Sequence, residues 1–170
     1  FLVEVKPSIA YVPASQATGE GVFRAVAGFN ATFTLSSRDI FGNVKREGGE
    51  NCWDIFVNAT DTERPSLALS WVVDLNNGKY AAAFYVTASG KYTVSVSCRG
   101  VHIYGSPFPI EVSAGPGGIT SYPYGDEFGI AEAGKDFTFN IQSMDDFDNL
   151  RTLSGNYYFV WFRQSGNGSD

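Results

Sequence analysis

The chain has 170 residues, 44% of them hydrophobic and 15% aromatic, with 19 Gly, 7 Pro, one His and a net charge of −6. That length holds one large or two small domains, and the Gly, Pro and aromatic content favours strands and turns over helices. An acidic balance with no basic cluster gives phosphate-backbone binding no electrostatic driving force, and a single His argues against histidine-based catalysis or a multi-histidine zinc site. No apolar run approaches the length of a membrane-spanning helix, and the start has no charged-then-apolar leader pattern.

In chain order, Phe1-Leu2-Val3-Glu4-Val5 alternates like a strand and matches Phe108-Pro109-Ile110-Glu111-Val112. Lys6 to Thr18 reads as an extended entry segment in which Ile9, Tyr11 and Val12 are expected to supply a broken first strand. Ala31, Phe33 and Leu35 alternate inward on the next strand, followed by the turn Arg38-Asp39-Ile40-Phe41-Gly42-Asn43. Trp53, Ile55 and Val57 point inward on another strand, and Leu67 to Val73 makes the one after it. Asn77-Gly78 is a tight-turn signal, leading to the alternation of Tyr80, Ala82 and Phe84. Tyr92, Val94 and Val96 alternate again. A corner containing Gly100, Gly105 and Pro107 precedes a closing strand with Phe108, Ile110 and Val112 inward.

From Gly115 the pattern restarts. Ala133-Gly134-Lys135-Asp136-Phe137-Thr138-Phe139 echoes Ala27-Gly28-Phe29-Asn30-Ala31-Thr32-Phe33 at an offset of 106 (27 to 133), and Asp145 to Asn149 echoes Asp39 to Asn43 at the same offset. Tyr158, Val160 and Phe162 repeat the inward pattern of Trp53, Ile55 and Val57. The expected organisation is the closing strand of a preceding repeat in residues 1–5, a complete repeat in 6–113, and the first half of another in 114–170.

Gly90, Tyr92, Val94, Val96, Gly100, Ile103, Gly105, Ser106, Pro107 and Phe108 stand where a filamin-type repeat has G-x-Y-x-V-x-V, G-x-x-I and G-S-P-F. The chain therefore resembles filamin-type immunoglobulin-like repeats, most strongly in residues 19–112. The resemblance implies an all-β fold of antiparallel immunoglobulin-like β-sandwich repeats in tandem, with seven strands each. It also implies a non-enzymatic module that binds other proteins or neighbouring repeats. Members take partner peptides by strand addition beside the third and fourth strands. Two settings follow from the family. One is a spacer and adhesion or assembly module of an extracellular or cell-surface protein. The other is a cytoplasmic, actin-crosslinking scaffold.

Candidate chemistry is sparse. His102 lies in the corner and is expected to be a satisfied corner histidine, and no Ser or Cys has a base to activate it. Gly115, Gly117 and Gly118 have no helix pattern after them, so they do not make a phosphate loop. Asp145, Asp146, Asp148 and Asn149 form the one acidic cluster, where oxygen ligands could hold calcium. The equivalent turn, Asp39 with Asn43, carries half that charge, so hydrogen bonding to the local backbone is the expected role and no metal or cofactor is assigned.

Sequons at Asn30, Asn58 and Asn167 are candidate glycan carriers, and Asn30 and Asn58 alternate out of phase with the inward residues of their strands. In the filamin-type fold the strands holding Cys52 and Cys98 pair, which brings both to one end of one sheet. Strict alternation opposes a bond between them, since Cys52 is out of phase with inward Trp53 while Cys98 is in phase with inward Val96. Either a bulge or end-of-strand twist permits a disulfide, or two separate thiols remain. Phe56 lies outward on the strand of the family's peptide groove. Tyr157, Phe159 and Trp161 form an outward aromatic row that calls for a partner or a covering segment.

Overall fold

Alternation decides the architecture, because each strand that buries every second residue needs a second apolar face against it. In the computed structural model, which describes residues 1–61, 66–125, 131–153 and 155–162, that face is supplied by a second sheet. The strands are β1 (Gln16–Thr18), β2 (Arg24–Val26), β3 (Asn30–Ser36), β4 (Trp53–Ala59), β5 (Ala68–Asp74), β6 (Lys79–Val86), β7 (Gly90–Cys98), β8 (Val101–His102), β9 (Phe108–Ser113), β10 (Tyr122–Tyr124) and β11 (Asn140–Gln142). One sheet has the order β1-β3-β6-β5 and the other β2-β9-β7-β4, with β8 pairing to β7. All pairs are antiparallel except β2 with β9, which run parallel. No α-helix occurs among the described residues. This is an all-β, immunoglobulin-like sandwich.

The inward residues expected from the alternation form its core. Ala31, Phe33 and Leu35 from β3 and Tyr80, Ala82 and Phe84 from β6 meet Tyr92, Val94, Val96, Ile110 and Val112 from the opposing sheet, with Trp53, Val57 and Phe108 packed at the margin. Tyr80 keeps its hydroxyl satisfied by donating to a Glu50 carboxylate oxygen, and burial pushes its pKa up to about 12. The hairpin between β5 and β6 turns at Gly78, which has φ 75°; a Cβ there would lie 2.0 Å from the Lys45 carbonyl oxygen. Only glycine fits both demands.

The broken first strand lies elsewhere than expected. Ile9 and Tyr11 are exposed, Val12 begins a 3-10 turn, and the two halves of the strand are β1 and β2, one in each sheet. Three-residue edge strands carry too little pattern to announce themselves; β1 exists because β3 offers it a ladder, and β2 because β9 does. A second difference falls at residues 157–162, expected as a strand. They join no ladder, because no described strand runs beside them to accept their hydrogen bonds.

Two turns share one geometry. In the first, Asp39 Oδ1 accepts from the N–H groups of Phe41 (3.0 Å) and Asn43 (2.9 Å), and Oδ2 accepts from Ser8 N–H (3.0 Å) and the Asn43 amide (3.0 Å). In the second, Asp145 accepts from Phe147 N–H (2.9 Å), Asn149 N–H (2.9 Å), Gly115 N–H (2.7 Å) and the Asn149 amide (2.8 Å). The flanking bridges Arg38↔Val44 and Met144↔Leu150 keep the same spacing. So do β1 and β10: Gln16↔Ser36 and Thr18↔Thr34 become Tyr122↔Gln142 and Tyr124↔Asn140, each number raised by 106 (16 to 122).

The Asn43 amide, aided by the Ser8, Asn43 and Phe41 N–H groups, holds the Asp39 carboxyl at a pKa of about 2 against the opposing effect of burial. An unfolded aspartate titrates near about 3.9, so the stability Asp39 supplies is fully present above that value and is lost as pH falls toward about 2. The expected outcome for Asp39→Asn is a lower melting temperature at neutral pH and a shallower loss of stability on acidification between about pH 4 and about pH 2. Thermal melts followed by circular dichroism across that range check both.

Candidate functional site

The sandwich leaves an open edge on β4 and another on β5, the end strands of their respective sheets. Thr60 N–H donates to Lys91 O (2.8 Å), so hydrogen-bonded pairs with β7 fall at Asp54, Phe56 and Asn58. Trp53, Ile55 and Val57 therefore turn their N–H and C=O groups away from β7, toward the open edge. The Ser70 hydroxyl of β5 donates to the Ile55 carbonyl at 2.9 Å and occupies one of those acceptors. Phe56 stands on the outer face of β4, 61% exposed. The edge is a template for an added strand, narrowed by the chain's own serine. Sequence pattern gave no signal for Ser70, since its partner lies across two sheets.

Cys52 and Cys98 are bonded, with Cα atoms 4.8 Å apart. The parity conflict dissolves because the ladder ends at Trp53↔Cys98. Cys52 lies one residue outside β4, in the preceding turn, where strand alternation no longer aims its side chain. The bond staples neighbouring strands of one sheet, at the end where β8 also pairs with β7.

Asn30 and Asn58 are both exposed, on the outer faces of β3 and β4 respectively. Asn58 shares its face with Phe56. Asn167 lies outside the described residues. His102 is exposed, with Nδ1 2.9 Å from the Ser106 hydroxyl oxygen, which also accepts from Val96 N–H (2.8 Å). The histidine is part of the corner between β8 and β9, which Ser106 ties to β7.

The acidic cluster is hydrogen-bonded to the sandwich. Burial pushes the Asp145 pKa up, but its bonds from Asn149, Gly115 and Phe147 outweigh this and the net effect lowers it. Both carboxylate oxygens already face N–H donors, so the turn is built as hydrogen-bonded backbone. Asn149 is 2% exposed and reaches back to the complete sandwich: its amide donates to Thr87 O (2.8 Å), and its Oδ1 accepts from Ser89 N–H (2.9 Å). A Cβ on Gly28 would lie 2.4 Å from Phe147 Cε2, so the ring rests on the glycine backbone. The Asp/Asn spacing was visible in the sequence; its docking onto Gly28 and residues 87–89 was not.

Tyr157, Phe159 and Trp161 are 96%, 88% and 87% exposed. Of the residues expected inward, Tyr158 and Val160 are less exposed but Phe162 is 79% exposed, so the expected inward face does not form in the absence of a ladder. The Tyr158 hydroxyl and Asn156 amide instead reach Ser121 and Ser143, beside β10 and β11.

Residues 10–109 match the family model of the Filamin/ABP280 repeat. The E3 ubiquitin-protein ligase TRIM71 of Mus musculus is 33% identical over 106 residues, 62% of this chain and 12% of that protein. The fold is similar to the Lin-41 filamin domain, with a TM-score of 0.52 at 20% identity over 64% of this chain and 100% of that one. It is similar also to FdeC, an Escherichia coli adhesin, with a TM-score of 0.64 at 19% identity over 87% of this chain and 46% of the other. The chain thus spans a small part of the ligase and less than half of the adhesin chain.

The Cys52–Cys98 bond closes a loop with a sequence separation of 46. Chain entropy assigns such a loop roughly 4 kcal/mol, a large share of a small domain's net stability. Reduction, or Cys98→Ser, is expected to lower the melting temperature by several degrees or more, measured by scanning calorimetry with and without reductant.

Proposed function

The chain belongs to the Filamin/ABP280 repeat family, and from that premise we propose that it is a non-enzymatic structural and adhesion module of an extracellular or cell-surface protein. It acts as a spacer and protein–protein assembly surface within a tandem array of such repeats. Filamin-type immunoglobulin-like domains are generally non-catalytic. Residues 1–5, 6–113 and 114–170 are then the tail of one repeat, a whole repeat and the first part of the next.

The observation that carries this reading is the Cys52–Cys98 pair, since cystines persist in oxidising compartments and are rare in the cytosol. The exposed sequons at Asn30 and Asn58 support it, because glycans are added on the secretory route. The recurrence of the β1–β3 register and the Asp39 turn, both shifted by 106, supports the array. Fold likeness to the adhesin FdeC is in keeping with a surface role.

A second reading is a cytoplasmic filamin-like scaffold that crosslinks actin and takes partner peptides by strand addition. The open β4 edge favours its mode of strand addition. Under the first reading a glycan on Asn58, beside Phe56, crowds that edge and directs assembly to other faces.

The deciding measurement is peptide mass spectrometry of protein from its native source. A linked Cys52–Cys98 peptide and glycan on Asn30 or Asn58 are expected. Free thiols together with bare asparagines at both sites would overturn the extracellular reading in favour of the scaffold.

A further inference from the structure

We propose that the Asp39–Asn43 turn is a docking surface, and that its occupant is the tip of a preceding repeat of this same kind. The proposal rests on the tandem-array reading and names the contact by which one repeat holds the next.

The chain contains that contact once in full. The Asp145–Asn149 turn is seated on the end of the complete repeat through two hydrogen bonds from Asn149 to residues 87 and 89, and through the Phe147 ring over Gly28. The Asp39–Asn43 turn has the same Asp-centred bonds and a bridge at the equivalent positions, but among the described residues Asn43 makes no counterpart of the Asn149 bonds to residues 87 and 89. Phe41 is 81% exposed where Phe147 is 38% exposed, and Ile40 beside it is 62% exposed. Asn43 is exposed where Asn149 is buried. Among the described residues, the Asn43 amide bonds only to Asp39, and its Oδ1 meets no donor. An apolar ring and an amide with one free hydrogen and one free oxygen are thus presented together. They suit a surface that offers a bare glycine, a backbone carbonyl and a backbone N–H.

The path of the chain delivers such a surface. Gly115 N–H, three residues beyond Val112, donates to Asp145; Ser8 N–H, three residues beyond Val5, donates to Asp39. Residues 1–5 match residues 108–112. A repeat closed by residues 1–5 is therefore led onto the Asp39 turn by the same strap that leads the complete repeat onto the Asp145 turn. Its counterparts of Gly28, Thr87 and Ser89 then fall within reach of Phe41 and Asn43.

The test duplicates residues 6–107 directly ahead of Phe1 of the full chain, so that residues 1–5 close the added copy, and measures residual dipolar couplings for each repeat. Dispersed amide spectra of the added and the native repeat report the folding of both in every variant. The added and native repeats are expected to share one alignment frame. Phe41→Ser, a change at an exposed side chain, and independently Asn43→Ala, are expected to separate the frames and reduce the added copy's relative alignment roughly twofold or more. Independent alignment in the unsubstituted chain, or a common frame that survives both substitutions, would overturn the proposal. The alignment of residues 131–153 in the same unsubstituted chain separates the two questions. If residues 131–153 do not share the native repeat's frame, the array reading itself falls. If they share it and the added copy does not, only the Asp39 contact falls.

Discussion

A carboxylate buried in protein must find donors for both oxygens, and this requirement organises the two ends of the repeat. Asp39 is 1% exposed and Asp145 is 1% exposed, and each is held by three backbone N–H groups and one amide. Two of the three N–H groups come from the turn itself. The third comes from a segment about thirty residues earlier, which fixes where the chain passes each turn. Turn and strap are thus one hydrogen-bonded assembly, and in the second of them Asn149 places its remaining hydrogen and oxygen on residues 87 and 89.

The sandwich between those ends poses the opposite problem. Closure of the core leaves β4 and β5 as unpaired edges, and an exposed edge invites another strand. Here the two edges restrain each other through the Ser70 hydroxyl on the Ile55 carbonyl. Phe56 and Asn58 sit beside that edge and would meet anything added to it. The same few residues therefore govern whether the side of the repeat is open to partners, while the Asp turns govern its ends. The open edges thus lie along the side of the sandwich and the Asp turns at its ends, with the packed core between them.

The cystine belongs to the same economy. It closes one end of the β4–β7 pair just where their ladder stops, joining the residue before β4 to the last residue of β7. Stapling within a sheet leaves the inter-sheet core to apolar packing alone, with Leu35, Phe84 and Val94 at its centre. Sequence likeness to a ubiquitin ligase and fold likeness to an adhesin both attach to this shared sandwich.

The sequence by itself determined the all-β class, the inward faces of the long strands and the second appearance of the Asp turn. These follow from two-residue alternation and from turn residues whose side chains act locally, so they are written within a few consecutive positions. Tertiary structure decided everything that depends on a distant partner. It placed the first strand at Gln16–Thr18 and Arg24–Val26 rather than around Ile9, Tyr11 and Val12, because three-residue edge strands take their register from β3 and β9. It freed Cys52 from the alternation by starting β4 one residue later, at Trp53. It left Tyr157, Phe159 and Trp161 exposed and unladdered, since a strand is a property of two segments rather than one. And it seated Asn149 on residues 87 and 89, a match between groups about sixty residues apart that only the folded chain brings to hydrogen-bonding distance.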